Sequence, residues 1–210
     1  MKVFRLESFP GRLVMPTVVC LGVFDGVHLG HQQLIKEALQ IAEAQKLVPV
    51  VHTYEPLPVS VVDPESQVFE LSPTNERIAL LAQYGIQHVA ISRFDKDMQQ
   101  MSGKDFFNKV LLDQLHARHI VAGYNHRFGY LAKTDIGQLK LFCEAAEVGF
   151  TAIQPVKTPQ GQLVSSSAIR SALARGDFQL ASDMLGREID PSIKQRLSAQ
   201  GEGHEHTTEV

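Results

Sequence analysis

The stretch TVVCLGVFDGVHLGHQQL, residues 17–34, passes from an apolar run into a helical pattern through a loop that holds three glycines. Residues 17–24 are apolar on both faces, as expected for a central strand of a parallel sheet. From Gly30 to Gln45 apolar residues recur at intervals of three and four, which predicts a helix. A strand, a glycine-containing loop and a helix form a general phosphate-binding arrangement, because the N–H groups at a helix start are unpaired and carry partial positive charge.

The rest of the chain repeats this alternation of β-rich runs and helical patterns. Four further strands are predicted at residues 47–54, 88–92, 119–123 and 150–156, and Pro49 predicts a late start for the first of these. Strands that alternate with helices favour parallel pairing with right-handed crossovers. We therefore predict an α/β fold, a Rossmann-like open parallel five-stranded sheet with helices on both faces.

Composition limits the class of protein. The 210 residues, 44% of them apolar, suit one domain, predicted at residues 1–187, with a partly disordered polar tail at residues 188–210. Lys and Arg number 20 against 23 Asp and Glu, and this balance argues against a nucleic-acid partner. The sequence shows neither a cleavable leader pattern nor an 18-residue apolar run, so we expect a cytoplasmic protein without membrane contact. Cys20 and Cys143 are expected to be buried thiols.

His28 and His31 stand three residues apart at the predicted helix start, so their side chains share one face. Two imidazoles above helix N–H groups suit a triphosphate, and Gly22, Gly26 and Gly30 let the backbone approach a ligand closely. A zinc site would need third and fourth ligands, which the neighbouring sequence does not supply. Histidines that only cap the helix are another alternative. We favour the phosphate site.

The stretch VSSSAIRSAL, residues 164–173, offers a second helix start with polar side chains. Ser165, Ser166 and Ser167 supply caps and hydroxyl donors. Arg170 can turn back toward the same anion, and its fork of donors suits a phosphate better than a lysine would. Taken alone, the stretch indicates an ordinary serine-capped helix.

Together, these stretches resemble a known family. GVFDGVHLGHQQLI, from residue 22, looks like the H-x-G-H region of the nucleotidylyltransferase (HUP-like) superfamily. More narrowly, it is similar to the FMN adenylyltransferase domain of bacterial bifunctional riboflavin kinase/FAD synthetases. SSSAIR resembles that family's S-S-T-x-[IV]-R, with Ser167 in place of threonine and Ala168 where arginine is frequent. The resemblance covers about residues 15–187.

This resemblance implies transfer of the adenylyl group of ATP to FMN, giving FAD and pyrophosphate. His28, His31 and Arg170 would be catalytic, with Mg²⁺ held mainly by substrate phosphates and water rather than by a protein metal site. Asp25 would form the turn of the loop. The resemblance assigns ATP binding to Gly22, Phe24, Asp25, Gly30, Ser165, Ser166 and Ser167.

Two further stretches resemble the flavin side of the family. VAGYNHRFGY, residues 121–130, is similar to G-x-[DN]-[FH]-x-F-G, and HTYEPLP, residues 52–58, is similar to T-F-x-P-H-P. Leu57 replaces the usual histidine of the second pattern. The resemblance assigns FMN binding to Tyr54, Pro56, Asn125 and Phe128.

The kinase barrel of the bifunctional enzymes has no counterpart among residues 188–210. We therefore expect ATP and FMN as partners, with the FMN supplied by a separate riboflavin kinase. Two alternatives remain at this stage. One is a nucleotidylyltransferase with a different phosphate acceptor, and the other is a non-catalytic flavin- or nucleotide-binding module.

Overall fold

The computed structural model describes residues 1–9, 11–66 and 68–202, and its strands form one parallel sheet in the order β1-β4-β3-β2-β5-β6. The strands are β1 (Lys2–Arg5), β2 (Thr17–Leu21), β3 (Val48–Glu55), β4 (His88–Arg93), β5 (Ala117–Gly123) and β6 (Gly149–Ile153). The predicted α/β fold is confirmed. Because β3 and β4 lie on one side of β2 while β5 and β6 lie on the other, the strand order reverses between β2 and β5. Ligands of open parallel sheets bind beyond the carboxyl ends of the strands at such a reversal.

The described part of the sheet has six strands rather than the predicted five, because the prediction missed β1. This edge strand is four residues long, two of them charged, and it is largely exposed, so it lacks the apolar pattern of the central strands. The predicted late start of β3 is also wrong, because β3 begins at Val48. Its pairing with β4 starts only at Val50, so the missing N–H of Pro49 costs no bond with that strand.

Helices connect the strands. They are α1 (Leu29–Gln45), α2 (Pro58–Val62), α3 (Thr74–Gln83), α4 (Lys96–Gln100), α5 (Gly103–Asp105), which continues as a π-helix (Phe106–Gln114), α6 (Ile136–Ala145), α7 (Ser166–Ala174), α8 (Phe178–Leu185) and α9 (Pro191–Glu202). Among the residues that the structure describes, no helix is both long and apolar enough to cross a membrane.

Helices cover both faces of the sheet, as predicted. Alternate side chains of β2 point to opposite sides, so Val19 joins a cluster with Leu111 of the π-helix while Val18 joins a cluster with Ile35 of α1. Cys20 and Cys143 are buried free thiols that belong to these two different clusters. The prediction of two buried thiols is confirmed.

A third apolar cluster lies under α7, α8 and α9. The tail predicted from residue 188 is helical over Pro191–Glu202, where Ile193 is buried in this cluster and Arg196 pairs with Glu76 of α3 at 2.8 Å. Apolar contacts of Ile193 and Leu197, together with the bonds of Arg196, therefore hold a segment whose polar composition favoured disorder. Residues 203–210 lie outside the described residues.

The loop after β5 approaches α5 so closely that only glycines fit. Gly129 has a φ of 73°, and a Cβ atom there would lie 2.5 Å from the backbone nitrogen of Gly103. The same loop is fastened by hydrogen bonds between the backbones of Phe128 and Thr134 at 3.0 and 3.1 Å. This contact fixes the position of Phe128, whose side chain is buried.

The close approach makes Gly129→Ala more costly than a positive φ alone would. Gly161 is the matched control, because its φ is 84° and a Cβ atom there would meet no atom within 4 Å. We expect Gly161→Ala to lower the free energy of unfolding by about 1–2 kcal/mol and Gly129→Ala to lower it at least twice as much. Urea titrations of both variants measure this, and equal losses would show that the approach to Gly103 is not tight.

Candidate active site

The loop of residues 22–28, between β2 and α1, is held in a strained backbone. Phe24 and Val27 have φ values of 58° and 40°, in the left-handed region that side chains other than glycine rarely adopt. Such positions cost on the order of 1–3 kcal/mol each and persist only when their surroundings hold them. Both side chains are fully buried, so packing supplies that hold. Strain of this kind is concentrated at functional sites.

Two arginines fasten the carbonyl groups of this loop. Arg77 of α3 donates from Nη1 to the carbonyl of Val23 at 2.9 Å, and its side chain is buried. Arg187 donates from Nη2 to the carbonyl of Gly26 at 2.6 Å and from Nη1 to that of Val27 at 3.1 Å. Sequence analysis did not identify either arginine. Their partners in the loop are backbone carbonyl groups, which leave no side-chain pattern in the sequence.

Asp25 joins the loop to two distant segments. Its buried carboxylate accepts hydrogen bonds from the backbone N–H groups of Leu71 at 3.2 Å and Ser72 at 2.9 Å. It also accepts from Nη1 of Arg170 in α7 at 2.7 Å. The backbone carbonyl of Asp25 accepts a further bond from the hydroxyl of Ser166 at 2.9 Å. Asp25 therefore fixes the start of α7 against the loop that precedes α1.

His28 and His31 form a stacked pair at the start of α1. His28 caps the helix, since its Nδ1 accepts from the backbone N–H of His31 at 3.3 Å, and the two ring centres lie 3.7 Å apart. Burial lowers the pKa of His28 to about 4 and the pKa of His31 well below its usual value. Both rings are therefore neutral near pH 7 in the free protein. A Cβ atom at Gly30 would lie 3.1 Å from the His28 ring, so the glycine leaves space for this pair.

A cavity of about 400 Å³, the first cavity, opens between the start of α1 and the start of α7, at the carboxyl ends of β2 and β5. It is bounded on one side by the histidine pair and on the other by the polar side chains of Asn125, Ser165 and Ser166. Both helix starts that line it offer N–H groups to an anion.

A second cavity, of about 390 Å³, adjoins the first and is mainly aromatic and apolar. The two cavities share Val23, His126 and Arg127. The floor of the second cavity is a chain of aromatic contacts, with ring centres of Phe106 and Phe128 5.4 Å apart. Its lining includes Tyr54, Phe94, Met98, Met101, Phe106, Phe128 and Leu131.

Comparison with known proteins shows the family of this chain. The family model for FAD synthetase matches residues 13–168. The chain belongs to the FAD synthetase family.

Relatives of this FAD synthetase family member differ in length. A bifunctional riboflavin kinase/FMN adenylyltransferase of Buchnera aphidicola is 33% identical over 171 residues, which cover 81% of this chain and 54% of the relative. An FAD synthetase of Listeria monocytogenes is 29% identical over 188 residues, which cover 89% of this chain and 75% of the relative. The chain thus spans about half the length of the bifunctional relative. A solved structure described as a macrolide-efflux protein from Streptococcus pneumoniae aligns with a TM-score of 0.77 and 25% identity, over 90% of this chain and 63% of that one.

The structure brings together most of the residues that the sequence assigned to catalysis or to ATP binding. Those on the first cavity are Gly22, His28, Gly30, His31, Ser165 and Ser166. The side chains of Phe24 and Asp25 are buried within the loop and do not line the cavity, and Arg170 donates to the Asp25 carboxylate. Ser167 is exposed on α7.

Of the residues assigned to FMN, Tyr54 and Phe128 line the second cavity. Asn125 lines the first cavity, because it follows β5 next to the end of β2, and Pro56 lines neither cavity. Leu57, which replaces the family's histidine, is buried at the start of α2. Ala168, where arginine is frequent, packs partly buried against the third apolar cluster.

The described residues contain no group of three His, Cys, Asp or Glu side chains placed to hold a metal ion. The histidine pair therefore has no further protein ligand within that part of the chain. The carboxylate nearest to it in sequence, that of Asp25, is already bonded to two N–H groups and a guanidinium.

Removal of the Asp25 carboxylate leaves two buried N–H groups and an arginine without their acceptor. We expect Asp25→Ala to lower the free energy of unfolding by about 3 kcal/mol and Asp25→Asn to lower it less, because its amide oxygen still accepts. Asp95→Ala is the control, since Asp95 caps α4 and its other contact, an ion pair, is a long one, 4.0 Å from the exposed Arg93. Urea titration measures all three variants. A loss in Asp25→Ala no larger than in Asp95→Ala would contradict the assignment.

Proposed function

We propose that this chain transfers the adenylyl group of ATP to FMN and forms FAD and pyrophosphate. The observation that carries the proposal is the pair of adjoining cavities at the reversal of strand order. One cavity has two helix starts and a histidine pair, and the other has aromatic walls. A polar triphosphate suits the first cavity, and a planar flavin ring suits the second.

The first cavity holds ATP in this proposal. The N–H groups at the start of α1 and the ring N–H groups of His28 and His31 donate to the phosphates on one side. On the other side, the triphosphate meets Ser165, Ser166 and the start of α7. Neutral histidines that donate from a buried position stabilise negative charge strongly, because little water competes with them.

Arg170 donates hydrogen bonds to the β- and γ-phosphates of ATP in this proposal. Its Nη1 donates to Asp25, while a guanidinium has five N–H donors in all. Contact with the β- and γ-phosphates therefore does not require the ion pair to break. Asp25 orients this arginine and does not itself touch the substrate.

The reaction is an in-line displacement at phosphorus. An oxygen of the FMN phosphate forms a bond with the α-phosphorus of ATP, and the bond from that phosphorus to the bridging oxygen of the β-phosphate breaks. Pyrophosphate leaves with the electron pair. His28 and His31 stabilise the charge that develops on the phosphate oxygens, and no covalent enzyme intermediate is needed. Mg²⁺ enters as part of the MgATP substrate, held by phosphates and water.

FMN in this proposal comes from a riboflavin-phosphorylating reaction, the other activity in the name of the bifunctional relatives. We assign the reaction to the cytoplasm, because free thiols such as Cys20 and Cys143 persist in a reducing compartment.

The histidine pair provides the test of this function. We expect His28→Ala and His31→Ala each to lower kcat/KM for FAD formation by about 100–1,000-fold, the usual cost of removing one donor to developing charge. The assay supplies ATP, Mg²⁺ and FMN and follows FAD and pyrophosphate together. Circular dichroism establishes that the variants are folded.

His116→Asn is the matched control. His116 precedes the amino end of β5, whereas the first cavity lies at the carboxyl ends of the strands, and its ring bonds to the carbonyl of Leu13. Its turnover should equal that of the wild type. Equal turnover in all three variants would remove the histidine pair from the mechanism. Pyrophosphate released only with another acceptor, or FMN bound without turnover, would contradict the proposed reaction.

A further inference from the structure

His126 lies in the wall that the two cavities share. Its Nε2 atom is buried and has no hydrogen-bond partner within the part of the chain that the structure describes. The ring stacks on Phe128, with centres 5.7 Å apart and an interplanar angle of 27°. A buried ring nitrogen without a partner costs free energy of folding, so its retention needs an explanation.

The junction is where the two substrates of the proposed reaction must meet. A flavin ring in the second cavity has to bring its phosphate to the α-phosphorus in the first cavity, and the shared wall lies between them. Of the residues in that wall, Val23 has no polar side chain. Arg127 is exposed, and its Nη1 donates to the carbonyl of Ala132 at 3.4 Å. His126 therefore offers the buried polar atom at the meeting point.

The charge of His126 suits contact with a nucleophile. Burial lowers the pKa of His126 to about 4, so the ring is neutral near pH 7. A neutral N–H orients a phosphate oxygen without neutralising its negative charge, which leaves the remaining oxygens able to attack. A cationic side chain at the same place would reduce that nucleophilicity.

We propose that the Nε2–H group of His126 donates a hydrogen bond to the phosphate of the flavin acceptor and positions it at the junction. The inference rests on the proposed function, because it requires FMN in the second cavity. It adds a specificity-determining contact for the phosphorylated acceptor, which separates FMN from riboflavin.

Flavin binding without ATP tests this contact directly. The dissociation constants of FMN and riboflavin are measured by quenching of flavin fluorescence for wild type, His126→Phe and His126→Gln. We expect His126→Phe to weaken FMN binding by about 10–100-fold and to leave riboflavin binding within about two-fold of wild type. His126→Gln should recover part of the loss, because its amide N–H can reach the position of Nε2.

His88→Phe is the control. His88 lies at the amino end of β4, away from both cavities, and it also has a buried ring nitrogen, Nδ1, without a partner in the described residues. Its preference for FMN over riboflavin should match that of wild type. Equal weakening of both flavins in His126→Phe, or no weakening of FMN, would overturn the inference while leaving the proposed function intact. A wild-type protein that binds neither flavin would overturn both.

Discussion

The buried carboxylate of Asp25 is the constraint on which the candidate active site depends. Three parts of the chain converge on it: the loop after β2, the segment at Leu71 and Ser72, and the start of α7 through Arg170. A buried charge is tolerated only when it is paired and hydrogen-bonded, and here all three segments must be in place to satisfy it. The position of the loop and the shape of the first cavity therefore depend on the same contacts.

The histidine pair uses the rigidity that this arrangement supplies. His28 and His31 are stacked and neutral because burial disfavours their charged forms. In the proposed reaction they meet negative charge as preorganised donors, with little rearrangement when phosphates arrive. The aromatic second cavity complements them by holding a planar ring next to the phosphate site. Catalysis in this account is positioning and charge stabilisation rather than covalent chemistry.

The two helix starts were predictable from sequence because their signals are local. A fully apolar strand, a glycine loop and a helical pattern predicted β2 and α1, and serines before an apolar helix predicted the start of α7. β1 was missed because an exposed four-residue edge strand has no apolar pattern. Arg77 and Arg187 were missed because they bind backbone carbonyls. Asn125 lines the first cavity, a position that only the strand order reveals, and its assignment to FMN stays a prediction.

The most direct test of adenylyl transfer at the joined cavities follows isotope-labelled phosphate groups of ATP into the products. Labelled ATP is supplied with Mg²⁺ and FMN, in one reaction with the label at the α-phosphate and in another with the label at the γ-phosphate. The account predicts that the α-label enters the flavin product in equal amount to the FAD formed, while the γ-label appears only in pyrophosphate. Transfer of the γ-label to the flavin would contradict the account, because it would show phosphoryl rather than adenylyl transfer.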